Sequence, residues 1–422
     1  MNPSRASAAP DASARSAMSP ADASPSDVAR PVWKHAGYLL ASGWTQAAVA
    51  FGSNLILVRH IAPEGFGRFA LTLASLTLVY AFASLRPGAL VIREGRSQTA
   101  ERRAFLWNAC VQEAAILGLV SAALLAAQGA DAFGWSMWAV VWLAHFAAQS
   151  RGFLERQQAY GSLSVIESGS HLVAHGAAIA AVLWGAGIWA LPLREVLLAG
   201  LRIGALGAIG GLPSERMRLV RPREWRALAR DAKDLWSDGL LEGLHTRIVV
   251  LAAGWIAGVR GAGLFFQAQR LSQVPHQFLQ PVAGRLAFNW FARAESDGER
   301  ALQRKRLLLL LAGPLLLAAA GCLLLAEPVV PWLLGAEWAE AAPLLASLCG
   351  VAGGMSLLAL VKMELLATGR FRALLMLRLA QFAGLATAVP LLAIWPELGV
   401  RALGIALSVG IAAGVVAGRR AR

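Results

Sequence analysis

The stretch GLFFQAQRLSQVPHQFLQPVAGRLAF, residues 263–288, sets two arginines, a histidine and five glutamines among leucines, valines and phenylalanines. Wound as a helix at about 100° per residue, Gln267, Gln269, Arg270, Gln273, His276, Gln277, Gln280 and Arg285 fall on one half of the cylinder, and Ser272 is the one polar residue opposite. A guanidinium fork matches phosphate oxygens bidentately and stays charged when dehydrated. Amides and imidazoles suit hydroxyl groups. The face therefore fits an anionic, hydroxyl-rich ligand, with Arg270, Gln273, His276, Gln277 and Arg285 as candidate contacts, joined by Arg202 from the hydrophobic stretch 189–211. A second stripe, Ser164, Glu167, His171 and His175, lines one face of another apolar segment. Glu-x3-His-x3-His offers three zinc ligands, but no fourth is apparent, so no metal is expected. Two readings stay open for this stripe: buried histidines bonded to neighbouring helices, or a cavity wall with Glu167, His171 and His175 as a proton relay. Asp238, Glu242 and His245, with Arg247 nearby, read as an internal ion-pair group.

The elements that carry these groups follow from composition. The chain is 57% hydrophobic and 15% charged, with mean hydropathy +0.55. Residues 307–326, LLLLLAGPLLLAAAGCLLLA, hold no strongly polar side chain and can cross a hydrocarbon core of about 30 Å. The same window predicts twelve spans, near 37–58, 69–85, 104–127, 134–150, 163–186, 189–211, 235–257, 261–287, 307–326, 341–361, 373–395 and 402–418. The fold class is thus an all-α integral membrane protein. A charge in hydrocarbon costs about 2.5–3.5 kcal/mol or more, so Arg202 and Arg270 are expected to face a water-filled cavity. Arg285 and Arg378 lie near span ends, where snorkelling is the simplest reading; Arg285 also shares Arg270's face and joins the cavity set.

The net charge of +14 has a topological explanation. With the N-terminus inside, most of the 39 Lys and Arg fall in 1–36, 86–103, 151–156, 212–234, 288–306, 362–372 and 419–422. The other side holds only Arg59, Arg68, Arg260 and Arg401. That asymmetry is the positive-inside rule and predicts both termini in the cytoplasm; no nucleic-acid partner is needed. Residues 1–35, rich in Ala, Ser and Pro, read as a disordered cytoplasmic tail rather than a cleaved signal. Cys110, Cys322 and Cys349 sit in or beside spans, which argues against a disulfide framework.

The basic stretch 212–234 reads as an amphipathic linker on the inner leaflet. It divides the chain into a six-helix lobe over 36–211 and another over 235–422, around a central cavity. Two equal helical halves that rock about a shared site are a common transporter plan, with Pro275, Pro281 and Pro314 as candidate kinks. No loop is long enough for a separate catalytic domain, and no cofactor or enzymatic activity is expected.

Five segments carry a resemblance. LVRHIAPEGFGRFALTLA (57–74), IAGVRGAGLFFQAQRLSQVP (256–275), FNWFARAESDGERALQRKRLLLL (288–310), LLGAEWAEAAPLLASL (333–348) and LLATGRFRALLMLRL (365–379) occur in order at span borders. They resemble bacterial oligosaccharide flippases, which move O-antigen or exopolysaccharide repeat units. These form the polysaccharide transporter family of the superfamily that also holds multidrug exporters and the peptidoglycan-precursor flippase. Many members have fourteen helices; twelve are expected here. The resemblance implies translocation of undecaprenyl-pyrophosphate-linked oligosaccharide across the inner membrane. It also implies membrane lipids, a polysaccharide polymerase and glycosyltransferases as partners. A multidrug antiporter of the same superfamily remains a rival, though the first span carries Ser42, Thr45, Gln46, Ser53 and Asn54 but no carboxylate. A membrane glycosyltransferase or ligase would need a large outer loop.

Overall fold

A computed structural model describes residues 25–94, 99–156, 160–209, 212 and 217–420. Among them every regular element is helical: α1 (Pro25–Val58), α2 (Pro63–Ala83), α3 (Pro87–Glu94), α4 (Ala100–Ala127), α5 (Ala132–Arg156), α6 (Tyr160–Leu183), α7 (Ala190–Ala208) and α8 (Pro222–Gln280). After a π-helical segment over Pro281–Leu286 follow α9 (Ala287–Arg293), α10 (Asp297–Leu324), α11 (Ala326–Leu334), α12 (Ala342–Ser347), α13 (Cys349–Ala367), α14 (Phe371–Ala386), α15 (Ala388–Ile394) and α16 (Arg401–Arg420). Eight helical stretches among the described residues, α14 and α15 counting as one, are long and apolar enough to cross a membrane. The chain is a multi-span membrane protein. Each of the twelve expected spans falls mostly on helix where described, with α8 holding most of two of them and the pairs α12–α13 and α14–α15 one each.

Local chemistry starts the helices. Proline occupies the first turn of α2 and α8, where its missing N–H costs no bond. Thr99 caps α4 through Arg102 N at 3.2 Å, and Ser296 caps α10 through Glu299 N at 3.1 Å. Two starts differ from expectation. α1 begins at Pro25, inside the segment read as a tail, whose residues 1–24 lie outside the described ones. The basic stretch from Pro222 is not a separate surface helix but the first turns of α8. Its Leu228 and Ala232 pack with Leu90, Val91, Leu106 and Phe153 of α3, α4 and α5. Burying that apolar face against protein removes the reason to lie on a leaflet.

The turn between the seventh and eighth expected spans is a break in α8 at Ala257 (φ −131°) and Gly258 (φ 66°). The left-handed φ at 258 is open to glycine at no steric cost. Pro275 and Pro314 stay within continuous helices, whereas Pro281 opens the π segment.

α1 packs on α6, α6 on α7, and α5 on α3, α4 and α7; α16 packs on α13 and α14, and α10 on α13. α8 joins these groups, touching α2 along much of its length and α13 as well. Near its break the join is backbone to backbone. A Cβ on Gly67 would stand 1.8 Å from Val259 O, and one on Gly263 would stand 1.9 Å from Pro63 O. Small residues allow such close helix approach where no hydrophobic effect drives association. Leu57, Phe66, Phe265 and Trp338 are buried at this end, in a cluster that continues to Val361, Leu365 and Leu377.

Candidate functional site

A cavity of about 870 Å³ is walled by α2, α3, α5, α6 and α7 on one side and by α8 on the other. Its lining runs from Phe69 and Arg194 to Arg86, Ile92, Glu155 and Leu206, next to the basic loops. Beyond its far end the segment between α1 and α2 is tied to later helices. Arg59 donates to Trp332 O (3.0 Å) and Leu333 O (3.3 Å), and Trp338 Nε1 donates to Val58 O at 3.1 Å. The Trp338 ring meets Phe66 edge-on at 5.6 Å. Arg260 pairs with Glu64 at 2.8 Å and Glu340 at 3.2 Å.

Six arginines line the cavity: Arg86, Arg151, Arg194, Arg202, Arg247 and Arg270. Two are neutralised. Arg151 bridges Glu155 (2.6 Å) and Glu167 (2.8 Å), and Arg194 holds Glu195 at 2.6 Å. The other four have no carboxylate partner among the described residues. Arg202 donates to His171 Nε2 at 2.9 Å, Arg247 Nε donates to Thr77 Oγ1 at 3.0 Å, and Arg270 lies over the Phe266 ring at 5.6 Å. Unpaired cations beside water are poised for an anion, since no internal bridge has to break first.

The sequence-derived residues divide. Arg202 and Arg270 line the cavity from opposite walls, and Glu167 lines it too. His171 and His175 stack at 5.4 Å behind that wall. Gln273, His276 and Gln277 are not lining residues: His276 Nδ1 meets Ser356 Oγ at 3.0 Å, Gln273 is half-buried and Gln277 is exposed. The side chain of Arg285 lies outside the described ones. Asp238 and Glu242 do form an ion-pair group, but with Arg378 (2.9 and 3.1 Å) and Lys362 rather than Arg247. Arg378 is therefore buried and paired, not snorkelling. Among the described residues no group of three or more His, Cys, Asp or Glu is placed to hold a metal ion.

Other groups escaped the sequence reading. Arg151 was placed just past a span that stopped at its charge, but α5 continues to Arg156 and turns it to Glu167. The neighbours Arg194 and Glu195 give no helical periodicity and so form no stripe. Glu113, a lone acid in an apolar span, meets His145 Nε2 at 3.2 Å, a contact between two helices that spacing within one helix cannot reveal. Ser42 and Gln46 of α1 bond α6: Ser42 Oγ meets Ser168 Oγ, beside the stripe, at 3.0 Å, and Gln46 Nε2 donates to Glu167 Oε2 at 3.3 Å.

The family model described as polysaccharide biosynthesis protein matches residues 56–343. The lipopolysaccharide biosynthesis protein WzxC of Escherichia coli (strain K12) is 25% identical over 214 residues, which is 48% of this chain and 42% of WzxC. The matched part thus spans less than half the length of that relative. Among solved structures, an inward-facing multidrug resistance MATE family transporter of the MOP superfamily aligns with TM-score 0.63 at 14% identity, over 92% of this chain and 97% of that one. A eukaryotic MATE transporter, AtDTX14, gives 0.64 at 14% identity over 92% and 94%. The lipid II flippase MurJ, in an inward closed conformation, gives 0.61 at 10% identity over 90% and 86%. At these identities the structures show a shared fold. With the family model covering more than half of its length, the chain is a member of the polysaccharide biosynthesis protein family.

Proposed function

We propose that this protein carries an undecaprenyl-pyrophosphate-linked oligosaccharide across the bacterial inner membrane by alternating access. The observation that supports it most is the cavity, where four arginines without carboxylate partners face a space of about 870 Å³. A diphosphate head needs cations that are free to receive it, and a glycan needs room and hydrogen-bond partners beside it. In this reading Arg202 and Arg270 hold the diphosphate from opposite halves. The lipid tail stays in the bilayer. Gln273, His276 and Gln277 follow Arg270 along α8, Arg285 follows in the π-helical segment after it, and all four meet the glycan when the halves move. The chain then crosses the membrane twelve times as two six-helix lobes, 36–211 and 235–422, with residues 212–234 between them and both termini cytoplasmic. The cavity opens to the cytoplasm while the contacts around Arg59, Trp338 and Arg260 close the outer side. Glu167, His171 and His175 are the proposed proton relay. A polysaccharide polymerase and glycosyltransferases are the proposed partners.

The test is translocation of a lipid-linked sugar, measured beside drug efflux in a strain lacking the protein. Restored glycan export without drug resistance is the expected result; efflux without export would replace the reading with the antiporter. Reporter fusions at Gly187, Arg260 and Glu397 should read outside, and those at Arg96, Arg223 and Arg300 inside.

A further inference from the structure

The turn between α2 and α3 holds the one positive-φ residue other than glycine among the described residues, Arg86 at φ 56°. An arginine keeps that conformation only where its surroundings impose it. Here the buried carboxylate of Glu113 does so. Its oxygens accept from Ser84 Oγ at 2.7 Å and Leu85 N at 2.8 Å, while His145 Nε2 donates to it at 3.2 Å. Ser84 Oγ in turn accepts from Arg86 N at 3.2 Å. On the other flank Pro87 starts α3, and Gly88 N donates to Gln149 Oε1 at 2.8 Å.

This scaffold sends the Arg86 side chain across the mouth of the cavity to α8. Its guanidinium lies against Gly239, where a Cβ would stand 2.0 Å from Cζ. Arg86 lines the cavity, and no protein acceptor takes its guanidinium donors among the described residues. A strained turn, a carboxylate that anchors it and a notch on the facing helix thus combine to present one free cation at the mouth.

We propose that Arg86 is a docking site for a phosphate or diphosphate group at the mouth, with Glu113 as its positioning residue. The lipid head meets Arg86 first and passes inward to Arg202 and Arg270. This rests on the cavity being the translocation path.

The experiment titrates the protein in lipid nanodiscs with inorganic pyrophosphate and, in parallel, measures lipid-linked sugar translocation against substrate concentration. Arg86→Gly suits it because glycine adopts the turn without strain, so heat stability should match or exceed the wild type. Pyrophosphate affinity should fall about tenfold. The substrate concentration for half-maximal translocation should rise and the maximal rate should hold. Arg86→Lys should lie between, having charge without the fork. Glu113→Gln should shift half-saturation in the same direction by less, which a merely structural loss would not do. The Arg202→Ala/Arg270→Ala double variant should lose translocation but keep the pyrophosphate binding that Arg86→Gly removes. Wild-type pyrophosphate affinity in Arg86→Gly overturns the proposal. So does Arg86-dependent pyrophosphate binding with no change in half-saturation, which would mark a site for a free anion. Full translocation by the double variant instead overturns the cavity reading, and the mouth site then stands or falls on pyrophosphate binding alone.

Discussion

Two polar stripes that look alike on a helical wheel meet different fates in the fold. The α6 stripe stays together: Glu167 is bridged by Arg151, His171 takes a bond from Arg202, and His175 stacks on His171. The α8 stripe is split among three neighbours. Gln267 is buried and accepts from Asn54 of α1 at 3.1 Å, Arg270 faces the cavity, and His276 meets Ser356 of α13. α6 borders chiefly α1 and α7, whereas α8 is packed by both halves. A polar face tells that a residue needs company; the packing of its helix decides whether the company is protein or ligand.

The sharpest way to break that comparison is at Arg270 and Arg202. If the α8 arginine serves the ligand and the α6 stripe serves its neighbours, Arg270→Ala should reduce glycan export by about a hundredfold. Membrane levels should stay near wild type. Arg202→Ala should reduce export too and also release His171. Export and antibody detection in a deletion strain decide it, and full export by Arg270→Ala would remove the contrast. Next in size, Arg378→Ala removes the buried cation that Asp238 and Glu242 share and leaves them Lys362 alone. Lys362 still faces both carboxylates and Glu242 is exposed, so a loss on the order of 1–2 kcal/mol, below that of a fully buried pair, should appear as lower heat stability in detergent rather than as an export defect alone.

Glu167→Gln sharpens the α6 side. It should leave Arg151 paired with Glu155 alone while Gln46 keeps its contact, and it should abolish any dependence of transport on the pH gradient with the fold intact. Unchanged gradient dependence would reject the relay and leave Glu167 as an ion-pair partner. The smallest effect is expected for Gln273→Ala and Gln277→Ala. Neutral hydrogen bonds contribute about 0.5–1.5 kcal/mol each, so export should fall by roughly tenfold or less. A loss as large as that of Arg270→Ala would place these glutamines in the cavity at an essential stage.

The fold was the more legible part of the sequence. The expected spans fall mostly on helix where described, and the multi-span class was legible because hydropathy reports directly on hydrocarbon burial. The turn at Ala257–Gly258 was readable from the glycines and the single arginine after it. The departures have local causes. The linker helix docked on α3–α5 because Leu228 and Ala232 found apolar partners there, which no single-helix pattern can announce. Of the site, Arg202 and Arg270 were legible because an arginine amid apolar neighbours demands explanation. Arg86, Glu113 and Arg151 were not. Their meaning lies in contacts between helices, and at Arg86 in a backbone angle that composition does not encode.

The Gly67–Gly263 contact has a consequence for motion. A seal made from main chain freezes no rotamers when it closes and releases none when it opens, so its making and breaking carry almost no side-chain entropy. In the proposed cycle the resistance to opening then resides in the surrounding contacts of Arg59, Trp338 and Arg260. Under the proposed alternating access, the side chains of those contacts, rather than the glycine pair, then set how readily this end parts, and they can be changed one at a time.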